Sequence, residues 1–314
     1  MSAPGRVILR GGGVPQRAGA RVTGRAVWCI VAEMSAHATI FSAALRALVP
    51  PPDAGEAAYL PAFRRLAALI LGAATWHIGG QPHRFTEIEL YWNGPGHPDT
   101  FTHGDPMQQE FGRWYFHRSG TTYRGGSYKG LDIAVGDEQT FAGILIRGAE
   151  RLADAAMIDG PSMCVDHVLA ATGCATIVAL VDGFDRGVDE APGSPLYVTL
   201  TDPPRPLEIV ESPRFGLTLK RGELRERAAF LARPYRFLSE PARIKKGRAH
   251  TVIGMFRQGV AAEEIVRRTG SSRAQVLKIL GEYEAGGGQD PRSFVRDLSS
   301  DETCRLFGAC DAYK

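Results

Sequence analysis

The chain has little that would staple or anchor it. Its five cysteines (Cys29, Cys164, Cys174, Cys304 and Cys310) form no CxxC pair and no even framework. That spacing argues against a disulfide scaffold or a zinc ribbon and fits a reducing compartment. Each long apolar run is interrupted by arginine or glycine well short of a bilayer's thickness, so no membrane-spanning helix is expected. With no secretory signal either, a cytoplasmic location is the expectation. Excess charge of one sign is also missing. The balance of 37 Lys+Arg against 34 Asp+Glu leaves +3, too little to argue for nucleic acid by itself. The distribution says more, because basic residues gather at both ends and between Arg205 and Lys246. Residues Met1 to Val31 contain no acidic residue at all. The histidines His97, His103 and His117 lack a tight HxxxH spacing, and neither metal nor cofactor is expected.

What is present reads as an ordinary globular chain. A length of 314 residues with 44% hydrophobic and 23% charged residues suits one sizeable domain plus a small one. Residues 1–35 read as a disordered basic extension, an Arg-rich targeting peptide, or an upstream start ahead of Met34. A short amphipathic helix is expected over Ala36 to Leu48, stopped by Pro50, Pro51 and Pro52. A second helix over Ala57 to Leu71 leads to a strand, ATWHIGG. Further strands are expected in FAGILIRG, LYVTL, LEIVES and RFGLTLK, and a helix begins near Pro161. Several strands with flanking helices and no βαβ rhythm predict an α+β fold with a mostly antiparallel sheet over residues 36–247.

One stretch, from Phe85 to Ile133, organises the rest. FTEIELYW alternates, with Ile88, Leu90 and Trp92 on the apolar face and Phe85, Glu87, Glu89 and Tyr91 on the other. Two later strands, GRWYFHR and SYKGLDIAV, bring Tyr115, His117, Tyr128 and Asp132. A carboxylate lined by flat rings suits a pocket for a flat heterocycle with proton chemistry beside it.

From Ala249 the pattern turns helical. AEEIVRRTGSSRAQVLKIL has the outline of a helix-turn-helix within residues 249–286, with Ile265, Val266, Val276, Ile279 and Leu280 as its core. Arg273, Gln275 and Lys278 then stand where a recognition helix faces a groove. A small protein-binding helical module is the alternative. The tail, residues 287–314, gives no reading.

EIELY, THG, GRWYFHR, SYKGLDI, ILIRGAERL, IDGPSMCVDHVLA, ESPRFGL and ARPYRFL, taken in order, resemble the blocks of the alkyladenine (3-methyladenine) DNA glycosylase family. The resemblance runs from about Leu60 to Ile244. It implies a monofunctional glycosylase that flips a damaged or modified base out of double-stranded DNA and leaves an abasic site. By this resemblance Glu89 activates the attacking water, with Glu87 as runner-up, and Arg147 keeps Glu89 ionised. Tyr91 matches the aromatic that stacks on the base, His103 the pocket histidine, and His117 a second stacking ring that can also donate a proton.

The chain also departs from the family. Asp132 replaces an asparagine and, as an acceptor only, favours a base edge that offers N–H donors. The longer, glycine-rich SGTTYRGGSYKG puts Tyr123 or Arg124 forward as the wedge that fills the gap left by the flipped base. These departures leave the base itself open. Two further readings stand beside the glycosylase. One is a non-catalytic protein that binds a modified base in DNA; the other is a hydrolase of free nucleosides.

Overall fold

The computed structural model describes residues 40–51, 53–201 and 203–313. The basic extension expected over residues 1–35 lies outside them. A short helix, α1 (Phe41–Arg46), ends ahead of the prolines, as their missing N–H groups and fixed φ require. Helix α2 (Tyr59–Ala73) buries Phe63, Leu66, Ala67 and Ile70, a 3.6-period stripe, and runs directly into β1 (Ala74–Ile78). The long strand β2 (Gln81–Gly94) follows, then β3 (His97–Pro98) and β4 (Arg113–Phe116). A small hairpin, β5 (Arg118–Ser119) and β6 (Thr122–Tyr123), precedes β7 (Leu131–Ala134), β8 (Phe141–Arg151) and β9 (Met157–Asp159).

After these come α3 (Pro161–Thr172), α4 (Ile177–Val181), β10 (Leu196–Leu200), β11 (Val210–Ser212), α5 (Leu224–Leu231) and β12 (Arg236–Leu238). The large sheet runs β10-β1-β2-β8-β7-β4, with every neighbouring pair antiparallel. One edge of β2 pairs with β8 over most of its length. Its other edge is shared by β1 and then by β12, which pairs at Glu87 to Glu89. The fold is therefore α+β with a mostly antiparallel sheet.

Ile88, Leu90 and Trp92 enter the core, and Phe63 of α2 packs 6.2 Å from Trp92. Phe85 does not keep company with the carboxylates. A register shift between Phe85 and Glu87 breaks the alternation, and Phe85 lies flat on Trp76 at 5.3 Å. RFGLTLK forms no strand either. Gly216 turns with φ +80, and the Phe215 N–H donates to the Glu89 carboxylate (2.7 Å), so it is lost to any ladder. The short strand β12 takes its place in the sheet.

The C-terminal helices are α6 (Arg248–Arg257), α7 (Ala262–Thr269), α8 (Arg273–Gly286) and α9 (Ser300–Ala312). Gly270, with φ +66, and the capping residue Ser272 join α7 to α8. Ile265, Val276, Ile279 and Leu280 are buried, as their spacing predicts. Helix α9, in the tail that gave no reading, crosses α8 so closely that a Cβ on Gly308 would sit 1.9 Å from the Tyr283 carbonyl. Val252, Ile253 and Met255 of α6 belong to the same apolar cluster as the sheet. Apolar packing is thus continuous from the sheet into α6. None of the described helices is long and apolar enough to cross a membrane.

Candidate functional site

The sheet register builds the site. Arg236 pairs with Glu89, Glu89 with Leu145, Leu145 with Asp132, and Asp132 with Tyr115. Directly opposed residues of antiparallel strands project to one face, so these five side chains form a single row across five strands. At roughly 4.8 Å per strand, Glu89 and Asp132 stand about 10 Å apart with Leu145 between them. Leu145 is buried but stands outside the apolar clusters. It is the floor between the two acids, and alternation alone did not single it out.

Arg147 reaches this face through an irregularity. Ile88 pairs with Ile146 and Glu87 with Gly148, leaving Arg147 without a partner on β2. The bulge aims its side chain at both glutamates, 2.7 Å from Glu87 and 3.3 Å from Glu89. Burial alone would lower the proton affinity of Arg147, yet Glu89 and then Glu87 raise it above the usual value. Among the described residues its terminal nitrogens have no hydrogen-bond acceptor; only Nε is used.

The two carboxylates differ in kind. Glu87 is clasped by Nε of Arg147 and Nε of Arg236, the latter at 2.5 Å. Burial pushes its carboxyl up, but Arg236 and then Arg147 outweigh this and hold it below the usual range. Arg236 is itself fully buried, donating to Ser212, Gly247, Thr251 and Lys246. Glu89 accepts instead from the Phe215 N–H at Oε1 (2.7 Å) and from the Tyr91 hydroxyl at Oε2 (2.8 Å). Each carboxylate oxygen offers about two acceptor positions, so Glu89 has room for a further donor such as water.

Tyr91 is half-buried, and Arg214 lies over one face of its ring at 4.5 Å. Burial, then Glu89, raises the Tyr91 pKa well above its usual value, so it stays a phenol that donates. Arg214 is fully buried and paired through both terminal nitrogens with Asp99. Arg214, Arg236, Asp99 and Phe215 were not singled out from the sequence. Their signal was arginine inside the apolar segments ESPRFGL and ARPYRFL.

The other end of the row carries the histidines. His117 Nε2 lies 2.7 Å from Asp132, and its ring covers bare Gly130, where a Cβ would meet Nδ1 at 2.3 Å. His103 stands edge-to-face against His117 at 4.3 Å, 3.4 Å from the Tyr115 hydroxyl. Desolvation, then His117, pushes the His103 imidazole down to about 4, although the residue keeps an exposed edge. The rings of His103 and His117 touch. Asp132 Oδ1 is engaged by His117, and Oδ2 has no partner among the described residues.

Tyr128, expected in the pocket, is 77% exposed. Its three-residue 3-10 turn (Gly126–Tyr128) carries it to the surface. Tyr123 is half-buried against the core, and Arg124 makes a long 3.4 Å contact with His103. Arg273, Gln275 and Lys278 lie on the exposed side of α8, away from the row, with Lys278 paired to Asp301 at 2.8 Å. No group of three or more His, Cys, Asp and Glu able to hold a metal occurs among the described residues.

No family model matches the chain. A protein of Acanthamoeba polyphaga mimivirus, "Uncharacterized protein L759", is 31% identical over 198 residues, which span 59% of this chain and 88% of the viral one. The chain belongs to the family of that viral protein. The viral protein's name states no activity, so this kinship leaves the chemistry to be argued from the site.

Proposed function

We propose that the protein is a monofunctional DNA glycosylase that hydrolyses the N-glycosidic bond of a damaged or modified base, with Glu89 activating the water. The observation that carries this reading is the neighbourhood of Glu89. It is a buried carboxylate beside a guanidinium with free terminal nitrogens, on the same sheet face as a histidine–aspartate pair. Glu89 draws a proton from water as the oxygen bonds to C1′. The C1′–N bond breaks, and its electron pair leaves with the base. Arg147 balances the negative charge of Glu89, and the carboxylate faces the positive charge that grows on the sugar. Glu87 binds Arg147 and Arg236 through Oε1, with Oε2 buried and without a partner among the described residues, and its role is to hold them. The α7–α8 pair is assigned to DNA, with Arg273 and Gln275 nearest the duplex.

A second reading has its own support: Glu89 is fully buried and both of its oxygens already accept hydrogen bonds. That suits a protein that binds a modified base without cutting. The deciding test incubates the full-length chain with duplexes carrying one alkylated, deaminated or hypermodified base and looks for alkali-labile breaks. Breaks with wild type and none with Glu89→Gln support the enzyme. Tight binding to a modified duplex without breaks supports the binder.

A further inference from the structure

We propose that the C-terminal helical unit is a working part of the site as well as a tether, with His250 of α6 positioning Phe215 and, through it, Glu89 and Arg147. The inference rests on the reading of Glu89 as the water-activating group. His250 is only 7% exposed, and its Nδ1 is buried with no partner among the described residues. Nothing in the polar network explains a histidine there; its flat ring does. It lies 5.2 Å from the Phe215 ring on one side and 4.9 Å from Phe307 of α9 on the other. Phe215 in turn serves the site twice. Its backbone N–H donates to Glu89 at 2.7 Å, and its ring lies 5.1 Å from the Arg147 guanidinium carbon.

Phe215 needs this support because its own segment gives little. It sits on an irregular turn beside Gly216, and the side chain is 39% exposed. A second thread runs from the same helix. The carbonyl of Gly247 and the hydroxyl of Thr251 accept from Arg236, which holds Glu87, which holds Arg147. Both contacts that orient Glu89 from outside β2 therefore lead back to α6. Burial, and then Arg236 and Arg147, push the His250 imidazole down to about 3, so it sits beside those guanidiniums uncharged.

The test uses the full-length chain and two variants, His250→Ala and His250→Phe, with single-turnover base release at saturating protein, DNA affinity and melting temperature as readouts. A misplacement of about 1 Å can cost about 100-fold in rate. His250→Ala is therefore expected to slow release at saturation by about 10- to 100-fold with DNA affinity kept. His250→Phe restores the ring and most of the rate. If His250→Ala fails to fold, His250→Leu, which fills the volume without a flat ring, takes its place. Release at the wild-type rate by the Ala or Leu variant overturns the proposal. Should wild type release no base from any duplex, the glycosylase reading falls first. The crystal structure of the variant then decides the positioning role: an unchanged 2.7 Å contact from Phe215 to Glu89 sinks it, and a broken one supports it.

Discussion

The two ends of the row from Arg236 to Tyr115 are built differently. At the Arg236–Glu89 end four contacts to the two glutamates lie at 2.5 to 2.8 Å, made by residues from β2, β8, β12 and the turn at Phe215. At the Asp132–Tyr115 end one firm contact, His117 to Asp132, stands among 3.4 Å contacts, an exposed His103 and a fully surfaced Tyr128. The first end is preorganised, the condition for electrostatic stabilisation without reorganisation. The second has two imidazole rings in mutual contact. The proposed function puts chemistry at the rigid end and recognition at the loose one.

Glu87→Gln tests that contrast hardest. It leaves Arg147 and Arg236 short of a counter-charge in a dry interior, a loss of about 3–5 kcal/mol in stability by chemical denaturation. Glu89→Gln, two residues away, is expected to change stability far less while slowing base release by about 100-fold or more. If the two substitutions had equal effects on stability, the division of labour between these carboxylates would be lost.

Acid is the next lever. Glu87 has its pKa lowered on folding, so its stabilisation is present at neutral pH and disappears as pH falls through the folded value. His250 acts in the same direction. Between its ordinary value near 6.5 and the folded value of about 3, the unfolded chain binds the extra proton. Stability therefore decreases as pH drops across that window, and His250→Phe is expected to flatten the upper part of the curve in pH-dependent melting.

At the loose end, Asp132→Asn is expected to alter which modified base is preferred by about tenfold, with Glu89-dependent release retained, as read from competition between two duplexes. An equal loss on all substrates would place Asp132 in the chemistry. The smallest effect is assigned to Arg273→Ala, which reduces the slope of log affinity against log salt by about 1 with no change in base preference.

The sequence made the sheet end of this comparison legible in part. Alternation in FTEIELYW put Glu87, Glu89 and Tyr91 on one face, and the ordered blocks pointed to Arg147. Periodicity also located α2, β1, β8, α3 and the α7–α8 turn. Three things escaped it, each because the deciding partner is distant in sequence. The Phe85 side chain depends on a bulge that arises only when β2 meets β8. The segment after Pro213 leaves the sheet because its N–H is spent on Glu89, 126 residues earlier. Helix α6 reads as the start of a separate unit, yet it packs under the site because Thr251 and the Gly247 carbonyl complete the burial of Arg236.

The most direct test is base release by wild type and Glu89→Gln, compared in one assay on duplexes with a single modified base and scored as alkali-labile breaks. The account predicts breaks with wild type and none with the variant, at undiminished DNA affinity. Equal release by the two proteins would contradict it.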